Sequence, residues 1–231
     1  MAQFFRGELP HYITTFSDIS SDELKLKVST FGKPRGVRRN HYKIREKFDE
    51  EIKMYIGEKI RLREYRSDDI EIAQKFINDV EIKQMLHPGI PYLYTYKDEQ
   101  KWFETISATN DVYSFAIETL EGEEYIGGCG VNNVDWKNSV VEVGIFIGKK
   151  NLLGKGYGTD AMKVLVRFIF EQMNINKIKL KVFSFNERAI RSYEKCGFKK
   201  EGILRQEIFR NGKYHDDVVM GMLRDEHIFN L

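Results

Sequence analysis

Glu142-Val-Gly-Ile-Phe-Ile-Gly-Lys-Lys-Asn-Leu-Leu-Gly-Lys-Gly-Tyr-Gly-Thr-Asp-Ala161 decides how this chain is read. It has the pattern of a buried strand, a short glycine-rich turn and the first turn of a helix. Gly154, Gly156 and Gly158 alternate through the turn, so the backbone can approach a ligand with no side chain in the way. The amides of the turn and of the helix start have no partners inside the helix. With the positive end of the helix dipole they form an anion site suited to phosphate or pyrophosphate. Lys155 adds a movable positive charge.

Two common phosphate loops do not fit. A Walker loop needs Gly-x-x-x-x-Gly-Lys-Ser/Thr. Counted from Gly148 there is one residue too many before Gly154-Lys155, and Gly156 stands where the magnesium-binding hydroxyl belongs. A dinucleotide fingerprint needs Gly-x-Gly-x-x-Gly and an acidic residue at the end of the next strand. The spacing here is Gly-x-Gly-x-Gly, and that acid is missing. A different phosphate-bearing cofactor remains open, as does a plain glycine turn packed against its helix.

The composition is that of a globular protein. Its 231 residues are 42% hydrophobic and 31% charged, enough for one large domain or a domain plus an extension. A net charge of +2 offers no global case for nucleic-acid or membrane binding. Cys129 and Cys196, both in apolar surroundings, read as buried thiols in a reducing compartment. No run approaches the length of a membrane span, and Met1–Phe16 lacks a signal peptide's pattern. A cytoplasmic location is expected.

Residues 1–53 differ in texture, carrying +3 against −1 for residues 54–231. Lys33–Lys47 is markedly basic. It reads as an arm for an acidic partner or, preferably, as a solvated face. Met54 directly precedes a strand start, so residues 1–53 are expected to be an N-terminal extension of unknown role, with Met54 an alternative initiator. Residues 54–231 form the expected domain.

Along that domain, Ile60–Tyr65 alternates as a strand. Ser67-Asp68-Asp69 supplies an N-cap for a helix with Ile70, Ala73, Phe76, Ile77 and Val80 on its apolar face. His87 falls in a loop, and Tyr92, Tyr94 and Tyr96 lead into a second helix, Tyr96–Ile106. These rings are core or a substrate wall. Tyr113–Leu120 and Tyr125–Val134 form a hairpin, in which Gly127, Gly128 and Gly130 mark a bulge or a close backbone approach. A helix from Tyr157 to Met173 is apolar nearly all round and must be covered on both sides. Lys177–Val182 alternates as a strand. Asn186 can cap the next helix and Gly197 can end it. Ile203–Phe209 and Tyr214–Leu223 meet at Asn211-Gly212, a strong hairpin signal.

Asn186 and Tyr193 are seven residues apart on one expected helix and so share a face. A ligand running out of the glycine turn would pass beside it. A phenol there could protonate a leaving thiolate. The ordinary values, about 8.5 for a thiol and about 10 for tyrosine, demand positioning but no extreme shift. The alternative is a core aromatic with a satisfied hydroxyl.

Two motifs, in order, carry a family resemblance. Leu153-Gly-Lys-Gly-Tyr-Gly158 resembles the pyrophosphate loop of the GNAT superfamily of acyl-CoA-dependent N-acyltransferases, with Leu153 replacing the usual Gln or Arg. Phe185-Asn-Glu-Arg-Ala-Ile-Arg-Ser-Tyr-Glu-Lys-Cys-Gly-Phe198 resembles the second signature, Asn-x-x-Ala/Ser-x-x-x-Tyr-x-x-x-Gly-Phe. Glu142-x-Gly-Ile-x-Ile-Gly and Phe209-x-Asn-Gly-x-Tyr214 with Asp216 are similar to the branch holding ribosomal-protein-alanine and spermidine N-acetyltransferases. The resemblance covers residues 56–227 or so.

It implies an α/β (α+β) fold in three α/β/α layers, with a mixed, mostly antiparallel sheet of about seven strands splayed at the cofactor site. It implies acetyl-CoA as co-substrate in a ternary complex, with no metal. Gly154, Lys155, Gly156, Tyr157, Gly158 and Thr159 would offer amides to the pyrophosphate. The pantetheine arm would pair with Phe146 and Ile147 where Val140–Ile147 and Ile178–Ser184 splay apart, and Asn186 would bond it. A backbone amide of the first of these strands would stabilise the oxyanion. Tyr193 would protonate the thiolate, and Glu142 or Glu118 would relieve the amine of its proton. The expected acceptor is a small, polyamine-like amine or a protein N-terminus, chosen by the stretch Ile82–Trp102 and the last hairpin. A homodimer is compatible with this reading; membrane and nucleic-acid partners are not expected. The alternative is a non-catalytic acyl-CoA-binding sensor or interaction module of the same fold.

Overall fold

The computed structural model describes residues 54–86, 89–106 and 113–228 of the chain, all within the unit Phe48–Leu231. The expectations placed on residues 1–53, on Lys33–Lys47 and on His87 lie outside the described residues.

Among the described residues seven strands form one sheet in the order β1-β2-β3-β4-β5-β7-β6. They are β1 (Ile60–Arg63), β2 (Tyr113–Thr119), β3 (Tyr125–Asp135), β4 (Val140–Ile147), β5 (Lys177–Phe183), β6 (Lys199–Arg210) and β7 (Lys213–Leu223). Neighbours run antiparallel except β4 and β5, which are parallel. Helices α1 (Asp69–Asn78), α2 (Val80–Leu86) and α3 (Tyr96–Ile106) precede β2. Helix α4 (Tyr157–Gln172) links β4 to β5, α5 (Glu187–Lys195) links β5 to β6, and α6 (Arg224–Ile228) follows β7.

Strand alternation sorts residues to two faces. On β2 and β3, Ile117 and Ile126 join the main core with α4, Ile190 and Tyr193. Their neighbours Ala116 and Tyr125 pack against Ala73 and Phe76 of α1 on the opposite face. The result is the expected three layers. Helix α4 buries Ala161, Met162, Val164, Leu165, Val166, Phe168, Ile169 and Phe170, so it is covered nearly all round.

The first helix departs from expectation. Asp68 occupies the N-cap position but makes no side-chain cap bond. The buried carboxylate of Asp69 instead accepts from Arg63 (2.7 and 2.9 Å) and from the Arg66 amide (2.8 Å). The helix stops at Asn78 rather than running through Val80. Asp79 is extended (φ −66°, ψ 125°). Its Oδ1 accepts from the amides of Glu81 (3.1 Å) and Ile82 (3.3 Å), which starts α2 as a separate helix. A capping aspartate competes with helix continuation, and Val80 is left 66% exposed.

The hairpins follow their turn residues. Asn211 (φ 50°) and Gly212 (φ 76°) both take the left-handed conformation that a two-residue hairpin requires. The β3 glycines mark close approaches. A Cβ on Gly127 would lie 2.1 Å from the Phe146 carbonyl oxygen, and one on Gly130 would lie 2.4 Å from that of Tyr113. At Gly127 the obstacle is backbone, so β4 itself would have to move. Gly127→Ala should therefore lower stability by about 1–3 kcal/mol. A thermal melt that matched the wild type would show that β3 and β4 tolerate separation.

Candidate active site

The site begins where two strands part. β4 and β5 pair only at Val140–Lys177, Val141–Ile178 and Glu142–Lys179. Beyond Glu142, β4 keeps β3 on one side as far as Ile147, while β5 stays with β7 up to Phe183. The β4 edge from Val143 to Ile147 is thus not covered by β5, as expected for the splayed pair. A cleft of about 780 Å³ opens there, with Phe146 and Ile147 in its wall.

The glycine turn closes one end. A 3₁₀ turn, Lys150–Leu152, leads into Gly154 (φ 75°) and Gly156 (φ 91°). Both glycines lie in the left-handed region, and a Cβ on Gly154 would meet nothing within 4 Å. The first helical bond of α4 runs from the Asp160 amide to the Gly156 carbonyl (2.9 Å). Tyr157, Gly158 and Thr159 precede it, and Gly156 offers no side-chain cap. Their amides are therefore available at the positive end of a 16-residue helix. Gly154, Gly156, Gly158 and Thr159 line the cleft.

Lys155 and Tyr157 differ from the other residues of the turn. The Lys155 amide is donated to the Leu152 carbonyl (3.3 Å), and neither residue lines the cleft. Lys59 takes up a position beside them. Its Nζ donates to the Lys155 carbonyl (3.1 Å) and stands 5.5 Å from the Tyr157 ring centroid. The loop is held from behind by Asp160, whose carboxylate accepts from the amides of Glu58 (3.0 Å), Lys59 (2.7 Å) and Ile60 (3.1 Å). Nothing in the local sequence around Lys59 announces this contact.

Helix α5 forms the facing wall. The Asn186 side-chain oxygen caps it by accepting from the Ala189 amide (3.2 Å). At its other end Gly197 (φ 98°) donates to the Glu194 carbonyl and Phe198 to that of Tyr193, both at 3.0 Å. This is a Schellman motif, and the Phe198 ring packs edge-on to Tyr193 with centroids 6.0 Å apart. The motif holds Tyr193 in place. Thr159 and Ser192 share a hydrogen bond of 2.7 Å that joins α4 to α5. Asn186 and Tyr193 both line the cleft, on the shared face expected from their spacing. Tyr193 is 9% exposed, and burial pushes its phenol up to about 12. Arg188, Arg191 and Lys195 also reach the cleft. Their helical spacing along the second motif was a signal that sequence reading passed over.

The two candidate bases part company. Glu142 lines the cleft, 3.6 Å from the Lys179 ammonium. Glu118 does not: it is 1% exposed and bonded to Arg61 and Arg63, each at 2.5 Å. Burial alone would raise its carboxyl, but these bonds outweigh that and hold it below the usual carboxylate range. Glu118 is a structural counter-ion, locked in a cluster with Arg63 and Asp69. Glu207 and Asp217, from the last hairpin, line the cleft as well.

Among the described residues of the stretch Ile82–Trp102, expected to choose the acceptor, only Ile82, Met85 and Leu86 line the cleft. The tyrosine-rich loop is neither core nor wall. Tyr92 is 68% exposed and Tyr96 44%, and no tyrosine of the loop lines the cleft. Both thiols are free, and burial raises each, Cys196 to about 12. Among the described residues no cluster of His, Cys, Asp or Glu could hold a metal ion, and no helix is long and apolar enough to cross a membrane.

Residues 59–199 match the acetyltransferase (GNAT) domain. The chain belongs to the GNAT acetyltransferase family. This GNAT protein is 28% identical to an uncharacterized N-acetyltransferase, p20, of Bacillus licheniformis, over 74% of this chain and 96% of that one. It is 30% identical to the spermidine N(1)-acetyltransferase of Vibrio cholerae over 49% of this chain and 65% of the other. The crystal structure of spermidine N-acetyltransferase from Vibrio cholerae, in complex with CoA and spermine, superposes with a TM-score of 0.67 at 25% identity. That match covers 73% of this chain and 98% of the other. The chain is an N-acetyltransferase with acetyl-CoA as its co-substrate. The free amides at the start of α4 and the uncovered β4 edge fit that molecule's diphosphate and amide-bearing arm.

Gly156 is the sharpest test of the cradle. A β-branched residue cannot hold φ 91° without strain, although a Cβ there meets only the end of Lys59, at 3.9 Å. Gly156→Val should abolish CoA binding in calorimetry while the chain still melts cooperatively. Retained binding would mean that the turn is not the diphosphate site.

Proposed function

We propose that this chain moves an acetyl group to a primary amine by direct attack within a ternary complex, the acceptor being a small, polyamine-like amine or a protein N-terminus. Acetyl-CoA supplies the activated acetyl thioester. The amides of Gly154, Gly156, Tyr157, Gly158 and Thr159 receive its pyrophosphate, and Lys59, Arg188, Arg191 and Lys195 add positive charge around that end. Phe146 and Ile147 present the β4 edge to the arm, and the amide nitrogen of Asn186, left over from capping, bonds it. Tyr193 gives its phenolic proton to the departing sulfur, and Glu142 takes one from the amine, directly or through water. The carrying observation is that Tyr193 faces the same cleft as the uncovered β4 edge. Residues 54–231 are the catalytic domain in this proposal, residues 1–53 an extension, and the enzyme works in the cytoplasm, as a homodimer if it assembles.

A thiol-release assay with acetyl-CoA and a panel of primary amines tests the activity. Tyr193→Phe should lower kcat by roughly 10²-fold or more with CoA affinity unchanged. Unaltered turnover would remove Tyr193 from the chemistry.

The pH dependence follows from the direction of its shift. Burial raises the Tyr193 phenol to about 12, so the folded state favours the protonated form. The associated stability is complete below about pH 10, the ordinary tyrosine value, and is lost as pH rises towards the folded value. Turnover should therefore show no falling limb due to Tyr193 below about pH 10. Tyr193→Phe should lose less stability than the wild type between about pH 10 and 12 in alkaline melts. Equal losses would contradict the burial assigned to this phenol.

A further inference from the structure

One buried carboxylate in the cleft has an oxygen without a partner. Asp217 on β7 lies opposite Phe183 on one side and Leu204 on the other, and it is 4% exposed. It lines the cleft, its Oδ1 is fully buried, and that oxygen has no hydrogen-bond partner. Among the described residues no lysine or arginine forms an ion pair with it. Lys181, also in the cleft wall, supplies opposing charge. A buried carboxylate oxygen left in this state is unfavourable unless a ligand donates to it.

A backbone irregularity brings a second acid beside it. The β6–β7 ladder jumps from Leu204–Asp217 to Ile208–His215. Arg205, Gln206 and Glu207 therefore stand against Asp216 alone, a bulge of three residues against one. Gln206 is held at φ 54°, and its amide donates to the Asp216 carboxylate at 2.9 Å. A non-glycine residue in this conformation persists only where its surroundings hold it. The bulge carries Glu207 into the cleft wall with Asp217 and Glu142. Three acids thus face one Lys181, and Glu142 is already near Lys179.

We propose that the cleft takes an acceptor bearing a second positive charge, and that Asp217 and Glu207 hold that ammonium while another amino group of the same molecule is acetylated. This rests on the transferase function proposed above. The attacking amine must be neutral, and a desolvated carboxylate favours an amine's charged form. Asp217 therefore suits the amino group that does not react. Burial, with Glu207 and Glu142 adding to it against Lys181, pushes the Asp217 carboxyl up, a penalty that a bound cation would reverse. A peptide N-terminus lacks this second ammonium at fixed spacing, so the acid wall favours a di- or polyamine.

Thiol release from acetyl-CoA by the full chain would be measured with spermidine, 1,4-diaminobutane, butylamine and an alanine-terminated peptide. The first two should exceed butylamine in kcat/KM by about tenfold or more. Asp217→Asn and Glu207→Gln should each shrink that preference by about tenfold to a hundredfold, mainly through the acceptor KM. CoA calorimetry confirms that each variant is folded, and Asp217→Asn should not lower the melting temperature, since it removes an unpaired charge. Equal use of butylamine, a preference for the peptide, or a diamine preference untouched in both variants would overturn the inference and leave the transferase reading standing. If no amine is acetylated, that reading falls, and calorimetry of spermidine on the CoA-loaded protein decides the acid wall alone. Binding lost in Asp217→Asn would support it; no binding by the wild type would overturn it.

Discussion

Three residue pairs hold β4 to β5, and the brevity of that parallel contact governs everything the cleft can do. A longer ladder would satisfy the β4 edge with protein and leave no strand position for a ligand. A shorter one would cut the sheet in two. The register instead ends at Glu142–Lys179, and each strand continues with its outer neighbour. The same backbone that completes the core on one side therefore remains an open hydrogen-bonding edge on the other.

Such an opening stays useful only if its walls are held from outside. On the α4 side, three main-chain donors converge on Asp160 and tie the start of β1 to the first helical turn. On the α5 side, the Asn186 cap and the left-handed Gly197 fix both ends of a nine-residue helix. The Thr159–Ser192 bond joins the two walls. None of these contacts uses the free amides of the glycine turn, so rigidity is supplied without occupying the donors.

Charge is distributed unevenly along the cleft. Arg188, Arg191 and Lys195 come from α5, and Lys59 stands by the glycine loop. Glu142, Glu207 and Asp217 come from β4 and the last hairpin. In the proposed complex the anionic diphosphate would meet the first group, and a cationic amine the second. The near-neutral whole, +2 over 231 residues, conceals this separation, because net charge sums over faces that no single ligand sees together.

Local chemistry made a large part of this legible in the sequence. Asn211-Gly212 determined a tight hairpin because few residues tolerate two consecutive positive φ angles. Gly197 and Asn186 bounded α5, and the alternating glycines announced the left-handed turn ahead of α4, because capping and left-handed geometry depend on neighbours within a few residues. The same locality explains the failures. Asp79 ended α1 where apolar spacing alone would have carried it through Val80. Glu118 looked as able a base as Glu142 until Arg61 and Arg63, more than fifty positions upstream, were folded against it. Lys59, the unpaired Asp217 oxygen and the bulge that brings Glu207 into the cleft were decided by tertiary structure alone. Each depends on strands and helices far apart in the chain meeting in one register, and periodicity within a single segment carries no record of that meeting.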